Sequence, residues 1–286
     1  MSRLQDLEHL YVEKLTPLYD LEESLALFYI VTEEITGVHK SIYALQKHND
    51  ITDEHYQLYL NILGELMASK PIQHIFKKAH FYGQIFEVNE FVLIPRPETE
   101  ELVDMIIKNH GQNSGSIRII DIGTGSGCIP ISLKKFLPMS AVSALDISKE
   151  AIAIAKRNSV KLGASVNFVN ADILEWTYIF NKDQRYDIIV SNPPYITPKE
   201  KEKMHPNVLE FEPHLALFVE ETAPLLFYET IASFALQHLT PSGHLYFEIN
   251  QYYGPQTVDM LMKKGFSNVQ MFQDMQHADR MIHAQL

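Results

Sequence analysis

Apolar positions recur along the first seventy residues at helical spacing, and from about residue 117 they gather into short unbroken runs. That change of period divides the chain. Asp20 with Glu23 has the form of a helix-opening capping box, Leu21, Leu25, Phe28 and Ile35 follow on one stripe, and Gly37 offers a stop. A second amphipathic helix starts after Thr52, carries Tyr56, Leu60, Leu63 and Met67 at intervals of four, three and four, and ends before Pro71. A shorter helix is expected from Ser41 to Lys47 between them. These stripes predict the core of a small helical bundle.

From Phe81 the texture changes. Phe81-Tyr82-Gly83 and Ile85 to Val88, followed after Asn89-Glu90 by Phe91-Val92-Leu93-Ile94, predict a β-hairpin. Pro95-Arg96-Pro97-Glu98-Thr99-Glu100 then leads into a helix with acids in its first turn and Leu102, Val103, Ile106 and Ile107 on its apolar face. After a polar loop from Gly111 to Ser116, strand-like runs at Ile117–Asp121, Ala141–Leu145, Val166–Val169, Tyr186–Ser191 and Leu245–Ile249 alternate with helical ones at Cys128–Phe136, Lys149–Leu162 and Pro224–Leu239. Such alternation predicts an α/β fold, a mostly parallel sheet covered by helices on both faces. The expected organisation is a helical bundle over 1–75, a hairpin linker over 76–95 and a sheet domain over 96–286.

Composition narrows the class. The chain has 286 residues, 46% hydrophobic and 21% charged, as expected of a globular soluble protein. No uncharged apolar run approaches the ~20 residues of a membrane span, and the amino terminus has no apolar secretory core, so the default location is cytoplasmic. The single cysteine, Cys128, excludes an internal disulfide framework and a multi-cysteine zinc site, and the scattered histidines have no metal-ligand spacing. A formal charge of −12 is a poor starting point for binding phosphate backbones, so no direct nucleic-acid partner is expected.

Two turns carry the candidate chemistry. Asp121-Ile122-Gly123-Thr124-Gly125-Ser126-Gly127-Cys128 stands where the first strand turns into the first helix, and its alternating glycines bring a ligand against bare main chain. A dinucleotide fingerprint would need glycine at position 128, where cysteine stands; Asp-x-Gly-x-Gly-x-Gly is the pattern associated with S-adenosylmethionine (SAM). In that setting Asp121 is placed for the methionine ammonium and Asp146, at the end of the next strand, for the ribose hydroxyls. Asp146 could instead cap the helix that follows. Asp172 and Ile173, after the third strand, are candidates for the adenine side. The second turn is Asn192-Pro193-Pro194-Tyr195, which ends the buried run Ile188-Ile189-Val190 because two prolines cannot continue a ladder. Cys128 is expected to pack rather than react.

Glycine turn, ribose acid and Asn-Pro-Pro-Tyr in this order resemble a class I SAM-dependent methyltransferase that transfers to nitrogen. Lys70-Pro71-Ile72-Gln73-His74-Ile75, Leu93 to Glu100, Asp121 to Cys128, Glu210-Phe211-Glu212-Pro213, Gly265-Phe266 and Asp279-Arg280 further resemble, in order, the HemK/PrmC family of release factor glutamine methyltransferases. The resemblance implies a Rossmann-like, mostly parallel seven-stranded sheet preceded by a small α-helical bundle and a hairpin, with SAM as cofactor. It implies cofactor contacts from Asp121, Gly123, Thr124, Gly125, Ser126, Gly127, Asp146, Asp172, Ile173 and Asn192, and a substrate slot formed by Asn192, Pro193, Pro194 and Tyr195. Asn192 and Pro193 would supply the acceptors for a glutamine amide, with Tyr195 lying against it. The substrate implied is the glutamine of the Gly-Gly-Gln loop of class I peptide chain release factors; the helical region is then expected to grip the factor, and a monomer is expected. Two departures stand out: Glu248-Ile249-Asn250 replaces the usual Glu-Ile-Gly, and Ile173 stands where an aromatic residue is common. Adenine-N6 methylation of DNA or RNA, which shares Asn-Pro-Pro-Tyr, is the alternative activity, and SAM sensing without transfer is a third.

Overall fold

The computed structural model describes residues 3–111, 115–202 and 204–286, so three residues of the expected loop from Gly111 to Ser116 lie outside it. The chain divides into two compact units: residues 1–76 with Pro206–Phe211, and the remainder. Among the described residues no helix is long and apolar enough to cross a membrane.

The first unit contains α1 (Leu4–Leu15), α2 (Leu21–Thr36), α3 (Lys40–Gln46), α4 (Asp53–Met67) and α5 (Ile72–Phe76). Its helix ends follow local chemistry. The Asp20 side chain accepts from Glu23 N at the start of α2, Gly37 closes α2 with φ of 73°, and Thr52 accepts from His55 N at the start of α4. The buried stripes differ in detail from those expected. In α2 the core residues are Ser24, Leu27, Phe28, Val31 and Thr32, with Leu21 exposed; in α4 they are Tyr59, Ile62, Leu63 and Leu66, with Met67 exposed. The bundle closes around the rings of Tyr11, Phe28, Tyr43 and Tyr59, and the Tyr11 hydroxyl donates to Tyr59 O at 2.7 Å. Edge-to-face packing of Tyr11 against Phe28 and Tyr59 joins the faces of α1, α2 and α4.

The second unit opens with β1 (Lys78–Phe81) and β2 (Gln84–Glu87), an antiparallel pair. This corrects the expected hairpin, which placed its second strand at Phe91–Ile94. Tyr82 and Gly83 both have positive φ, the geometry that a two-residue hairpin turn requires, so the chain reverses there. Residues 91–94 instead follow a turn in which Asn89 accepts from Phe91 N and Val92 N, and Val92 and Ile94 pack against Ala151 and Ile154.

The expected α/β alternation then appears. It comprises α6 (Pro97–His110), β3 (Arg118–Ile122), α7 (Cys128–Phe136), β4 (Ala141–Asp146), α8 (Lys149–Leu162), β5 (Val166–Asn170), the short α9 (Trp176–Ile179) and β6 (Tyr186–Ser191). After α10 (Pro198–Lys201), α11 (Pro206–Phe211, which belongs to the first unit) and α12 (His214–Leu217) come α13 (Leu226–His238), β7 (Leu239–Glu248), α14 (Gly254–Lys264), β8 (Ser267–Gln273) and β9 (Asp279–Gln285). The seven-stranded sheet has the order β5-β4-β3-β6-β7-β9-β8, parallel except where β9 pairs with β7 and β8. Ile119, Ile188, Val190 and Tyr246 face one apolar layer with α6 and α7; Ile120, Ile189, Leu245 and Phe247 face the other with α13 and α14. Burial on both faces explains why these strands are apolar runs without alternation.

The strand order reverses between β3 and β6, which pair in parallel with Ile122 opposite Ser191. That register sets the glycine turn after β3 beside the Asn-Pro-Pro-Tyr turn after β6, at the crevice where open α/β sheets bind ligands.

Gly127, with φ of 81°, is the tightest point of the glycine turn: a Cβ there would lie 3.1 Å from Ala155 Cβ and 3.0 Å from Ile131 Cδ1. Gly127→Ala is therefore expected to lower unfolding stability by about 3 kcal/mol, combining positive-φ strain with overpacking. Chemical denaturation measures this, and an unchanged midpoint would contradict the packing described.

Candidate active site

A cavity of about 260 Å³ opens at the carboxyl ends of β3, β4 and β6. Gly123 and Gly125 form its floor with φ of 78° and 53°, a conformation that side chains resist. Asp146 braces this floor, its Oδ2 accepting from Gly125 N at 2.8 Å and its Oδ1 from Ser148 N at 2.9 Å. The helix cap considered for Asp146 belongs to Ser148, which accepts from Ala151 N at 3.1 Å. Burial pushes the Asp146 carboxyl up, and the N–H groups of Ser148, Gly125 and Ile147 oppose the rise. Asp172 and Ile173 line the same cavity, with Asp172 Oδ1 accepting from Leu174 N at 2.8 Å.

Asp121 lies elsewhere. Alternation along β3 turns it to the α6 and α7 face, behind the glycine turn, where it is fully buried and off the cavity wall. Both its oxygens, and the hydroxyls of Thr124 and Ser126, are buried, and no hydrogen bond of good geometry reaches them among the described residues. Burial pushes the Asp121 carboxyl up to about 7, against the pull of the nearby Thr124 hydroxyl and with a further rise from Asp146. Gly127 also lies off the wall, at the packing of α7 against α8, and Cys128 is a buried thiol that burial pushes up to about 12.

Asn192, Pro193 and Pro194 line the cavity next to the glycine turn. Gly123 comes so close to this turn that a Cβ on it would lie 3.8 Å from Asn192 O. Asn192 Nδ2 donates to Thr99 Oγ1 at 3.3 Å. Tyr195 is half-buried and does not line the cavity. Its hydroxyl donates to Glu248 Oε1 at 3.1 Å, and its N–H bonds to Leu217 O at 3.2 Å. Asn250, the departure noted after β7, fixes this segment from behind: its Nδ2 donates to Tyr195 O at 2.9 Å and to Glu200 at 3.0 Å. A glycine at 250 would have no side chain with which to make these bonds.

Several contributors were not singled out as site residues in the sequence. Thr99 and Glu248 stand in quoted motifs without an assigned part. Glu212 closes the frame, accepting from Ile94 N at 3.0 Å and from Arg96 Nη2 at 2.5 Å, so that two motifs more than a hundred residues apart hold each other. Phe91, Leu215, Phe227 and Ile231 supply apolar wall, a role for which isolated apolar residues give no signal.

A parallel sheet with a glycine turn and an acid-braced crevice at its switch point defines a class I SAM-dependent methyltransferase. Residues 99–210 match the family model described as methyltransferase small domain. A methyltransferase from Pyrococcus furiosus of known structure superposes with a TM-score of 0.52 at 17% identity, covering 79% of this chain and 98% of that one, a likeness of fold. The release factor glutamine methyltransferase of Flavobacterium psychrophilum is 43% identical and the alignment covers 95% of each chain. That of Bacteroides thetaiotaomicron is also 43% identical, over 95% of this chain and 96% of the relative. The chain belongs to the release factor glutamine methyltransferase family. It is an enzyme whose methyl donor is SAM.

The residues present fit that donor. Gly123 and Gly125 present bare main chain to the cavity, and the buried acid Asp121 stands behind them with the Thr124 hydroxyl beside it. A raised carboxyl favours the protonated fold: that stabilisation is present at low pH and lost as pH rises through about 7. The ionised form is the one an ammonium prefers. SAM affinity, by calorimetry, should therefore weaken about threefold to tenfold from near pH 7.5 to near pH 6. Asp121→Asn should flatten this dependence; the same slope in that variant would remove Asp121 from the account.

Proposed function

We propose that this protein transfers the methyl group of SAM to the side-chain amide nitrogen of the glutamine in the Gly-Gly-Gln loop of class I release factors. The observation that carries the reading is that Asn192 and Pro193 line the same cavity as Gly123 and Gly125, with the two turns side by side at the ends of β6 and β3. The names of the relatives supply the release factor and the glutamine, and the site supplies a chemical reason for them.

A carboxamide nitrogen is a weak nucleophile because its lone pair is delocalised into the carbonyl. Bound SAM supplies a methyl group on a sulfonium, an electrophile with a good leaving group. The protein must hold the nitrogen in line and favour its loss of planarity. Asn192 Oδ1 accepts one amide hydrogen and Pro193 O the other, and these two neutral dipoles stabilise the positive charge that develops on nitrogen. The prolines fix the acceptors before substrate arrives. Asp121 and Asp146 serve the ammonium and ribose ends of the donor, and Asp172 with Ile173 the adenine side. The first unit, which holds none of these residues, grips the body of the release factor away from the reacting loop. Exposed Leu18, Leu21, Ile30 and Leu45 give it apolar surface for that purpose.

Incubation with radiolabelled SAM and, in parallel, with purified class I release factor, unmodified DNA and unmodified RNA tests the reading. Label is expected on the release factor alone, and replacing the Gly-Gly-Gln glutamine should abolish it. Label on nucleic acid would favour adenine methylation instead, and no transfer to any of them would leave a SAM-binding protein without this activity.

A further inference from the structure

The carbonyl and amino ends of an asparagine side chain are nearly the same shape, so packing alone does not choose which faces a substrate. At Asn192 the choice decides the chemistry. An amide turned the wrong way would present N–H groups to the N–H groups of the substrate, and no acceptor would remain on that side.

Thr99 fixes the choice by proton counting. It lies in the first turn of α6, 3% exposed, and its hydroxyl has one proton to give. That proton goes to Glu248 Oε2 at 2.6 Å. Toward Asn192, 3.3 Å away, Thr99 Oγ1 is left only as an acceptor, so the group facing it is Nδ2 and Oδ1 is free for the cavity. Glu248 commits its other oxygen to the Tyr195 hydroxyl at 3.1 Å. This carboxyl is 1% exposed, and burial, with the nearby Glu98, raises it above the ordinary carboxylate range, a rise limited by the hydrogen bonds from Thr99 and Tyr195 and by the charge of Arg280. Arg280 is itself fixed by Asp274 at 3.0 Å. The chain of donors thus runs one way, from Asn192 through Thr99 into Glu248.

We propose that Glu248, acting through Thr99, is a positioning residue that sets the amide of Asn192 with its carbonyl oxygen toward the substrate nitrogen. Neither Thr99 nor Glu248 touches the reacting atoms. The proposal rests on the acceptor role given to Asn192 under the proposed function, and it adds the reason that role has a fixed polarity. A carboxylate suits the task because it accepts from both neighbours and donates to neither. Replacement by an apolar residue would free the Thr99 proton to turn toward Asn192 Oδ1 and reverse the relay.

The test uses the full chain with SAM and a class I release factor. Thr99→Val should lower kcat on the order of tenfold to a hundredfold, with SAM affinity within about twofold of the unmodified protein. Thr99→Ser, which keeps the hydroxyl, should recover most of the rate. Glu248→Leu should slow transfer similarly, and in the double variant the two losses should not multiply, because both act on one relay. If Glu248→Leu does not fold, the Thr99 pair still decides. A second readout needs no substrate: Asn192 side-chain amide hydrogens should exchange slowly by NMR in the unmodified protein and faster in Thr99→Val. Wild-type kcat in Thr99→Val, or equal exchange in the two proteins, would overturn the relay. Absence of transfer by the unmodified protein would overturn the release-factor reading alone, and the exchange measurement would still decide the orientation of Asn192.

Discussion

The site depends on one pairing, the parallel register of β3 with β6 that sets Ile122 opposite Ser191. The Ser191 hydroxyl reinforces it by donating to Ile122 O at 2.6 Å, across the last residues of the two strands. One step beyond that pair, the glycine turn and the Asn-Pro-Pro-Tyr turn must face each other. A register slip by one residue would turn every side chain of β6 to the opposite face, removing Asn192 from Thr99 and burying the wrong wall. Apolar burial on both faces of both strands makes such a slip costly, so the large core serves to fix two short turns.

Around that pairing the second unit ties polar groups together by hydrogen bonds. Glu212 joins Ile94 and Arg96, Asp146 joins the glycine turn to the start of α8, and Asn250 joins Tyr195 to Glu200. Each bond crosses a long stretch of sequence or closes a tight loop, and each is largely removed from water, where dipoles act strongly. A weak nucleophile such as an amide nitrogen gains from this stiffness, because acceptors that are already oriented need no rearrangement as charge develops.

The sequence showed much of this through local chemistry. Asp20, Gly37 and Thr52 marked helix ends by capping, the unbroken runs at Ile119 and Ile188 marked doubly buried strands, and the three glycines and two prolines marked both turns. What it hid was set by packing at a distance. Phe91 to Ile94 had the composition of a strand, but the turn at Tyr82-Gly83 had already closed the hairpin. Asp121 was legible as a motif residue and illegible as one that faces away from the cavity, because the parity of β3 is fixed only once the sheet forms. Tyr195 could be named, but its bond to Glu248 joins residues that only the adjacency of β6 and β7 brings together.

On the proposed function, Asn192 acts chiefly on the transferring nitrogen. Single-turnover methyl transfer by Asn192→Ala, with SAM and release factor both saturating, measures it most directly. The account predicts a rate at least about a hundredfold below that of the unmodified protein, the range seen on losing one preorganised hydrogen-bonding group, with SAM affinity within about twofold. An unchanged transfer rate, or a loss confined to SAM affinity, would contradict it.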